Sequence, residues 1–237
     1  MVQPFPRKFY SAVSVAKRPE GFAVLLDGKP VRTPARVEFL LPNENLAEAV
    51  AEEWGGQGET LQPDTMPMTR LANTALDRIT PRRAEAIAQI MRFAESDLVC
   101  YRAEHPADLA ARQAREWDPL IAWARDSYCA LLKTGTGIAH VPQEQKTLAA
   151  LERAIAAHDD FALAALHVAA TATGSVVIAL AFMGGRLDAE GAFAASHLDE
   201  AYQAEHWGRD AEAQTKAARV AAELIAAERF LALLEKS

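Results

Sequence analysis

The segment from Phe161 to Gly185 carries no Asp, Glu, Lys or Arg, and no other stretch constrains the fold as strongly. An uncharged run of that length has to leave water, either into a bilayer or into a protein core. It is long enough to span roughly 30 Å of hydrocarbon. Its residues suit that role badly. Alanines dilute the Leu, Ile, Val and Phe that drive insertion, and His167, two threonines, Ser175 and a central Gly174 interrupt them. We read two buried helices broken near Gly174, not a membrane insertion. His167 then reads as a satisfied core histidine.

Such helices need a protein large enough to cover them. The chain has 237 residues, half of them hydrophobic, enough for one large domain or two small ones. Its first ~42 residues are β-rich. Phe9 to Val15 reads as a strand. Phe22 to Leu26, Asp27-Gly28 and Lys29 to Thr33 read as a hairpin, since Asp-Gly accepts the positive φ values of a type I′ turn. Pro30 makes the return strand an edge. Val37 to Leu41 reads as another strand.

From Asn43 the apolar period becomes helical. Asn43 can cap a helix carrying Leu46, Val50 and Trp54. Met68, Leu71, Ala72, Ala75, Leu76 and Ile79 lie on one face of a second helix, with Pro67 in its first turn. Thr80-Pro81 opens a third. Pro106 starts a helix toward Trp117, and Pro119 restarts or kinks it. Helices then dominate, at about 143–157, 160–173, 175–183, 188–206 and 209–234. The fold class expected is α+β: a small β-rich N-terminal domain over 1–60, followed by a larger all-helical domain over 61–237.

Charge excludes several functions. Lys plus Arg number 25 against 32 Asp plus Glu, a net charge of −7. That is the wrong balance for nucleic acid or for a polybasic membrane anchor. Two cysteines without a CxxC suit a reducing compartment. The first ten residues lack the apolar run of a signal peptide and the pattern of a transit peptide, which points to a cytoplasm. No phosphate-cradling GxxxxGK[ST] occurs, the histidines show no HExxH spacing, and no GxSxG elbow is present. We expect no cofactor, no metal and no catalysis.

One window is unusually dense. Ser96 to Asp118 holds Asp97, Cys100, Tyr101, Arg102, Trp117 and Asp118 without a glycine. Arg102 could activate the Cys100 thiol, but no base lies within local reach, so a buried structural cysteine is preferred. Asp97 and Arg102 are expected to form an ion pair that fixes the segment. A pocket built on Asp97, Tyr101 and Arg102 would instead suit a small-molecule enzyme, the alternative reading.

A second dense stretch, HLDEAYQAEHWGRD, combines Asp199, Glu200, Glu205 and Asp210 with Tyr202 and Trp207. It is either a solvated helix face or a surface for a basic partner. On a helix, Leu198 and Ala201 can face inward while Asp199 and Glu200 face water. Trp54, Trp117, Trp123 and Trp207 read first as core residues and second as interface anchors.

Taken in order, PFPRKFY, VSVA with GFAVLLDGKPVRTPAR, AVAEEW with Gln57, MPMTRLANTALDR, SDLVCYR, EWDPLIAWA and HLDEAYQAEHWG resemble the assembly chaperones of the F-one sector of ATP synthase. The resemblance runs from Pro4 to about Ala213. It implies a β-rich N-terminal domain, a helical C-terminal domain and no catalysis. It implies binding of the unassembled alpha subunit and shielding of its beta-facing surface until beta replaces it; the chain is expected to be a monomer. Asp199 and Glu200 match positions where that family carries acids linked to function, and Trp54 falls in its EW motif. The partner-binding residues expected are therefore Asp199, Glu200, Tyr202, Glu205, Trp207 and Trp54. Asp97, Tyr101, Arg102, Trp117 and Asp118 are expected to form a structural cluster.

Overall fold

A computed structural model of the chain describes residues 6–208 and 210–235. The first two residues of PFPRKFY lie outside that range, as does Arg209 of the C-terminal motif. The described residues form two compact units. The first holds those up to Arg83 together with Asp160–Ala164 and those from Arg229 on; the second holds the rest. The fold is α+β, a small strand region followed by a mostly helical remainder.

In the first unit, β1 (Val13–Arg18) and β2 (Gly21–Leu26) pair antiparallel, with Val13 opposite Leu26 and Arg18 opposite Gly21. Central β2 also pairs with β3 (Lys29–Pro30) and β4 (Leu40–Leu41). Asp27 and Gly28 take φ of 47° and 77°, the turn that their dipeptide foretold. The first strand starts later than the Phe9 to Val15 expected. The Asp27 carboxylate accepts from the Ser11 and Ala12 amides (3.1 and 2.8 Å), so a side chain takes the place of the ladder there. These bonds hold the Asp27 carboxyl below its ordinary range. The strand expected at Val37 shrinks to Leu40–Leu41. Arg36 at φ 67° and the bond from Val37 N to Thr33 Oγ1 (3.0 Å) turn the chain instead.

Helix α1 (Glu44–Gly55) begins where Asn43 Oδ1 accepts from Leu46 N at 2.9 Å. It buries Leu46, Ala47, Ala49 and Val50 on the β1–β2 side. Helix α2 (Pro67–Thr74) runs into a π-helical turn, Ala75–Ile79, and buries Met68, Leu71, Ala72, Ala75 and Ile79. The boundary expected after residue 60 does not separate the units, because α2 is tied to α1. Glu53 of α1 accepts from Met68 N (2.7 Å) and Thr69 N (2.8 Å), two of the orphan donors that open α2. Late residues complete this unit. Asn43 Nδ2 donates to Leu233 O at 2.9 Å, and Phe161 stacks on Phe230 with ring centres 6.4 Å apart.

The second unit is built from α3 (Arg83–Glu95), α4 (Ala107–Tyr128), α5 (Gln145–Ala156), α6 (Asp160–Thr173), α7 (Val176–Met183), α8 (Ala189–Ser196), α9 (Leu198–Trp207) and α10 (Ala211–Glu235), parts of α3, α6 and α10 counting with the first unit. A parallel pair, β5 (Tyr101–Arg102) and β6 (Gly135–Thr136), lies among them. The uncharged run is two helices broken at Gly174, which takes φ 65°. Every residue from Val176 to Phe182 is buried. Among the described residues no helix is long and apolar enough to cross a membrane. Helix α4 continues through Pro119, whose exposed ring stands on the water side of the helix. The single helix expected at 188–206 divides at His197 into α8 and α9.

Candidate functional site

Helix α4 explains most of the dense window. Its apolar stripe runs Leu109, Gln113, Trp117, Leu120, Ala124, and all five are buried. Trp117 satisfies its indole by donating to Ala195 O at 2.8 Å. The Arg102 guanidinium lies 5.1 Å over that ring and donates to Asp118 Oδ1 at 2.6 Å and to Val99 O. Arg102 therefore pairs with Asp118, not with Asp97 as expected.

Asp97 faces the other way, into the start of α7. Its carboxylate accepts from Ser175 Oγ (2.6 Å), Val177 N (3.0 Å) and Val99 N (3.2 Å). Ser175 Oγ in turn accepts from Ile178 N at 3.0 Å. The buried apolar helix α7 cannot draw water to its orphan amides, so a carboxylate one segment away supplies the acceptors. Burial pushes the Asp97 carboxyl up to about 6, against the pull of those hydrogen bonds. Cys100 beside it is buried and pushed up to about 12, an inert thiol. Tyr101 reaches instead toward His140 Nδ1 (3.4 Å) and Val141 N (3.4 Å). Asp97, Tyr101 and Arg102 thus bond three different sets of neighbours and do not converge on one another. Of the five residues, Arg102, Trp117 and Asp118 contact one another, while Asp97 bonds the start of α7 and Tyr101 the segment after β6.

The acidic helix α9 is held against α4 by three polar contacts. Gln113 Nε2 donates to Asp199 Oδ1 (2.8 Å), Tyr202 Oη to Asp108 Oδ2 (2.8 Å), and Arg112 Nη1 pairs with Glu205 Oε2 (2.9 Å). Tyr202 is buried where Ala201 had been expected, and Ala201 is exposed. The hydrogen bond from Tyr202 holds the Asp108 carboxyl below its ordinary range; burial, then Asp108 itself, raises the Tyr202 hydroxyl. His206 stacks on Tyr202 with ring centres 4.1 Å apart and donates from Nδ1 to Tyr202 O at 2.8 Å.

Behind these anchors α9 leaves a bare outer face. Glu200 is exposed and makes none of the α4 contacts made by its neighbours. Trp207 is 75 % exposed, the one tryptophan held out in water. Glu200 and Trp207, both solvated on one helix, are suited to meeting a cation that borders an apolar surface.

Trp54 belongs to the first unit and is half-buried. Tyr10 packs on it at 5.7 Å between ring centres and donates to its backbone oxygen at 2.7 Å. Its indole nitrogen is buried without an acceptor among the described residues. The EW motif works mostly through the other residue: Glu53 caps α2, and Gln57 bonds Glu53 O (3.1 Å), Thr65 Oγ1 (3.0 Å) and Gln62 N (2.7 Å).

Sequence reasoning missed Gln113, Arg112 and Asp108. The signal for Gln113 was present, since an uncharged polar residue interrupts the apolar stripe of α4. Nothing local marked Arg112 or Asp108. Among the described residues no cluster of His, Cys, Asp and Glu is grouped to hold a metal ion.

The chain matches the model of the family described as ATP12 chaperone protein over residues 7–125. "Protein atp12, mitochondrial" of Schizosaccharomyces pombe is 24% identical over 218 residues, spanning 87% of this chain and 75% of the relative. The crystal structure of Atp12 from Paracoccus denitrificans is similar, at a TM-score of 0.91 and 42% identity, over 96% of this chain and 98% of that one. The Atu1473 protein of Agrobacterium tumefaciens matches at a TM-score of 0.91 and 41% identity, over 98% of this chain and 87% of its own.

Proposed function

The chain belongs to the ATP12 chaperone family, and from that premise we propose that it binds the unassembled alpha subunit of ATP synthase. It shields the surface of alpha that faces beta, until beta replaces it. It works as a monomer in a bacterial cytoplasm, without a cofactor and without catalysis.

The observation that carries this reading is the bare face of α9. Asp199, Tyr202 and Glu205 are engaged by α4, while Glu200 and Trp207 stay in water on the same helix. An unpaired subunit exposes apolar surface and aggregates. A partner that covers that surface lowers its free concentration by mass action alone. Release requires only that beta form the larger interface. A solvated aromatic and a solvated carboxylate on one helix offer an apolar contact with a polar rim, the make-up of an interface that can be exchanged. Trp54, in the first unit, is the other partner-binding residue we propose.

Co-purification tests this. Tagged chain should retain alpha expressed without beta, and added beta should release it. A folded chain that retains no alpha overturns the reading.

A further inference from the structure

The 134–140 loop and the end of α9 carry the two most solvated large apolar side chains among the described residues, Ile138 at 103 % exposure and Trp207 at 75 %. A single exposed apolar residue needs no explanation. The elements that carry these two are both bonded to one strip of chain, residues 101–108, the loop directly and α9 directly and through Gln113. Toward the loop, Tyr101 and Arg102 pair with Gly135 and Thr136, and Gly137 N donates to Arg102 O at 2.9 Å. Toward α9, Ala103 N donates to Gln113 Oε1 (2.7 Å), whose amide grips Asp199, and Asp108 accepts from Tyr202.

The loop is also pinned. Gln143 bonds both Lys133 N and Lys133 O at 2.9 Å, closing its base. Gly135 permits Val141 to approach, since a Cβ there would stand 2.4 Å from Val141 Cγ2, and Gly137 takes φ 78°. The chain thus fixes a β-branched side chain in water at the tip of a shaped loop. Folding draws no stability from Ile138 in that position. The same strip carries exposed Glu104 and Asp108, and α9 adds exposed Glu200 and Glu205. Arg112 engages only one of these four, Glu205. Glu104 Oε2 lies 3.7 Å from the position a Cβ would take at Gly137, next to Ile138, and the other three carboxylates lie on or against α9. Each apolar projection thus has acidic neighbours, while Lys133 at the base of the loop pairs with Glu144.

We propose that the 134–140 loop is a second docking element, whose Ile138 inserts into an apolar depression bordered by arginine or lysine on the held subunit. This rests on the chaperone reading of α9 and extends the footprint across residues 101–108 to the loop. The occupant follows from charge: apolar knobs with acidic neighbours are complementary to an apolar recess with basic ones. A fixed knob also loses little freedom on docking.

The test compares Ile138→Ser and Ile138→Asp with the parent, and places a benzophenone amino acid at 138. Kd for the unassembled alpha subunit should rise about tenfold with Ser and further with Asp, while the thermal midpoint stays put because the side chain is solvated. The benzophenone should cross-link to alpha. Unchanged Kd in both variants overturns this inference alone. So does cross-linking only to a second copy of the chain, or flotation with phosphatidylcholine–phosphatidylglycerol vesicles that Ile138→Asp abolishes. A parent chain that fails to capture alpha at all overturns the chaperone reading and this inference with it.

Discussion

Gln113 Nε2 donates to Asp199 Oδ1 at 2.8 Å while Gln113 Oε1 accepts from Ala103 N at 2.7 Å. One buried amide thus sets the position of α9 and of the strip before α4 together. Asp199 and Glu200 are adjacent in sequence, yet this bond separates their roles. The first is a tie within the protein, and the second faces water.

Lysine at each position should separate those roles. Asp199→Lys loses the Gln113 bond and sets a cation against an amide donor, at a cost of about 1–3 kcal/mol in urea unfolding. Glu200→Lys should change stability by less than about 0.5 kcal/mol. Its effect belongs in binding: at least a tenfold weaker capture of alpha, larger at low salt, because reversing an interfacial charge costs roughly 2 kcal/mol or more. Normal capture by a folded Glu200→Lys chain refutes this division.

Leu166→Asp should destabilise the protein by several kcal/mol. Leu166 is fully buried in α6, and an unpaired carboxylate there costs on the order of 3–5 kcal/mol. Circular dichroism of thermal unfolding checks this; a midpoint within a few degrees of the parent would contradict it.

Asp97 gives stability a defined pH dependence. Its folded value of about 6 lies above that of an unfolded aspartate. Between roughly pH 4 and 6 the folded state therefore binds the extra proton. Stability from this group is greatest below pH 4, falls as pH rises through that window, and is flat above it, a change on the order of 3 kcal/mol. Asp97→Asn should abolish this fall. The measurement is the difference in unfolding free energy between parent and variant from pH 4 to 8, and a difference that does not vary with pH refutes it.

Glu53→Ala should weaken the start of α2. It strands the amides of Met68 and Thr69, a loss of about 2–4 kcal/mol for two half-buried donors. Hydrogen exchange at residues 67–72 should quicken with it. Equal protection in both chains would show that water replaces the carboxylate without penalty.

Local signals were legible in the sequence. Asp27-Gly28 announced a turn, Asn43 a helix start, and Gly174 the break in the uncharged run. Each depends on the backbone preference of one or two residues. Partners distant in sequence were not legible. Asp97 and Arg102 sit five residues apart and carry opposite charges, yet each satisfies a different need: Asp97 the amides of α7, Arg102 the Asp118 carboxylate and the Trp117 face. Periodicity could place Asp199 and Glu200 on a helix. It could not say which of them α4 would claim, because the register between two helices is set by packing far along the chain.

The stacking of Phe230 on Phe161, and the grip of Asn43 on Leu233, has a bearing on biosynthesis. A ribosome delivers the β1–β2 hairpin and α1 early and the residues beyond Arg229 last. Asn43 therefore waits for Leu233 while the whole second unit emerges, and Phe161 waits for Phe230 through the later part of it, residues 165–228. Vectorial synthesis favours whatever segment is complete first, so the unit whose strands are made first is the unit that closes last.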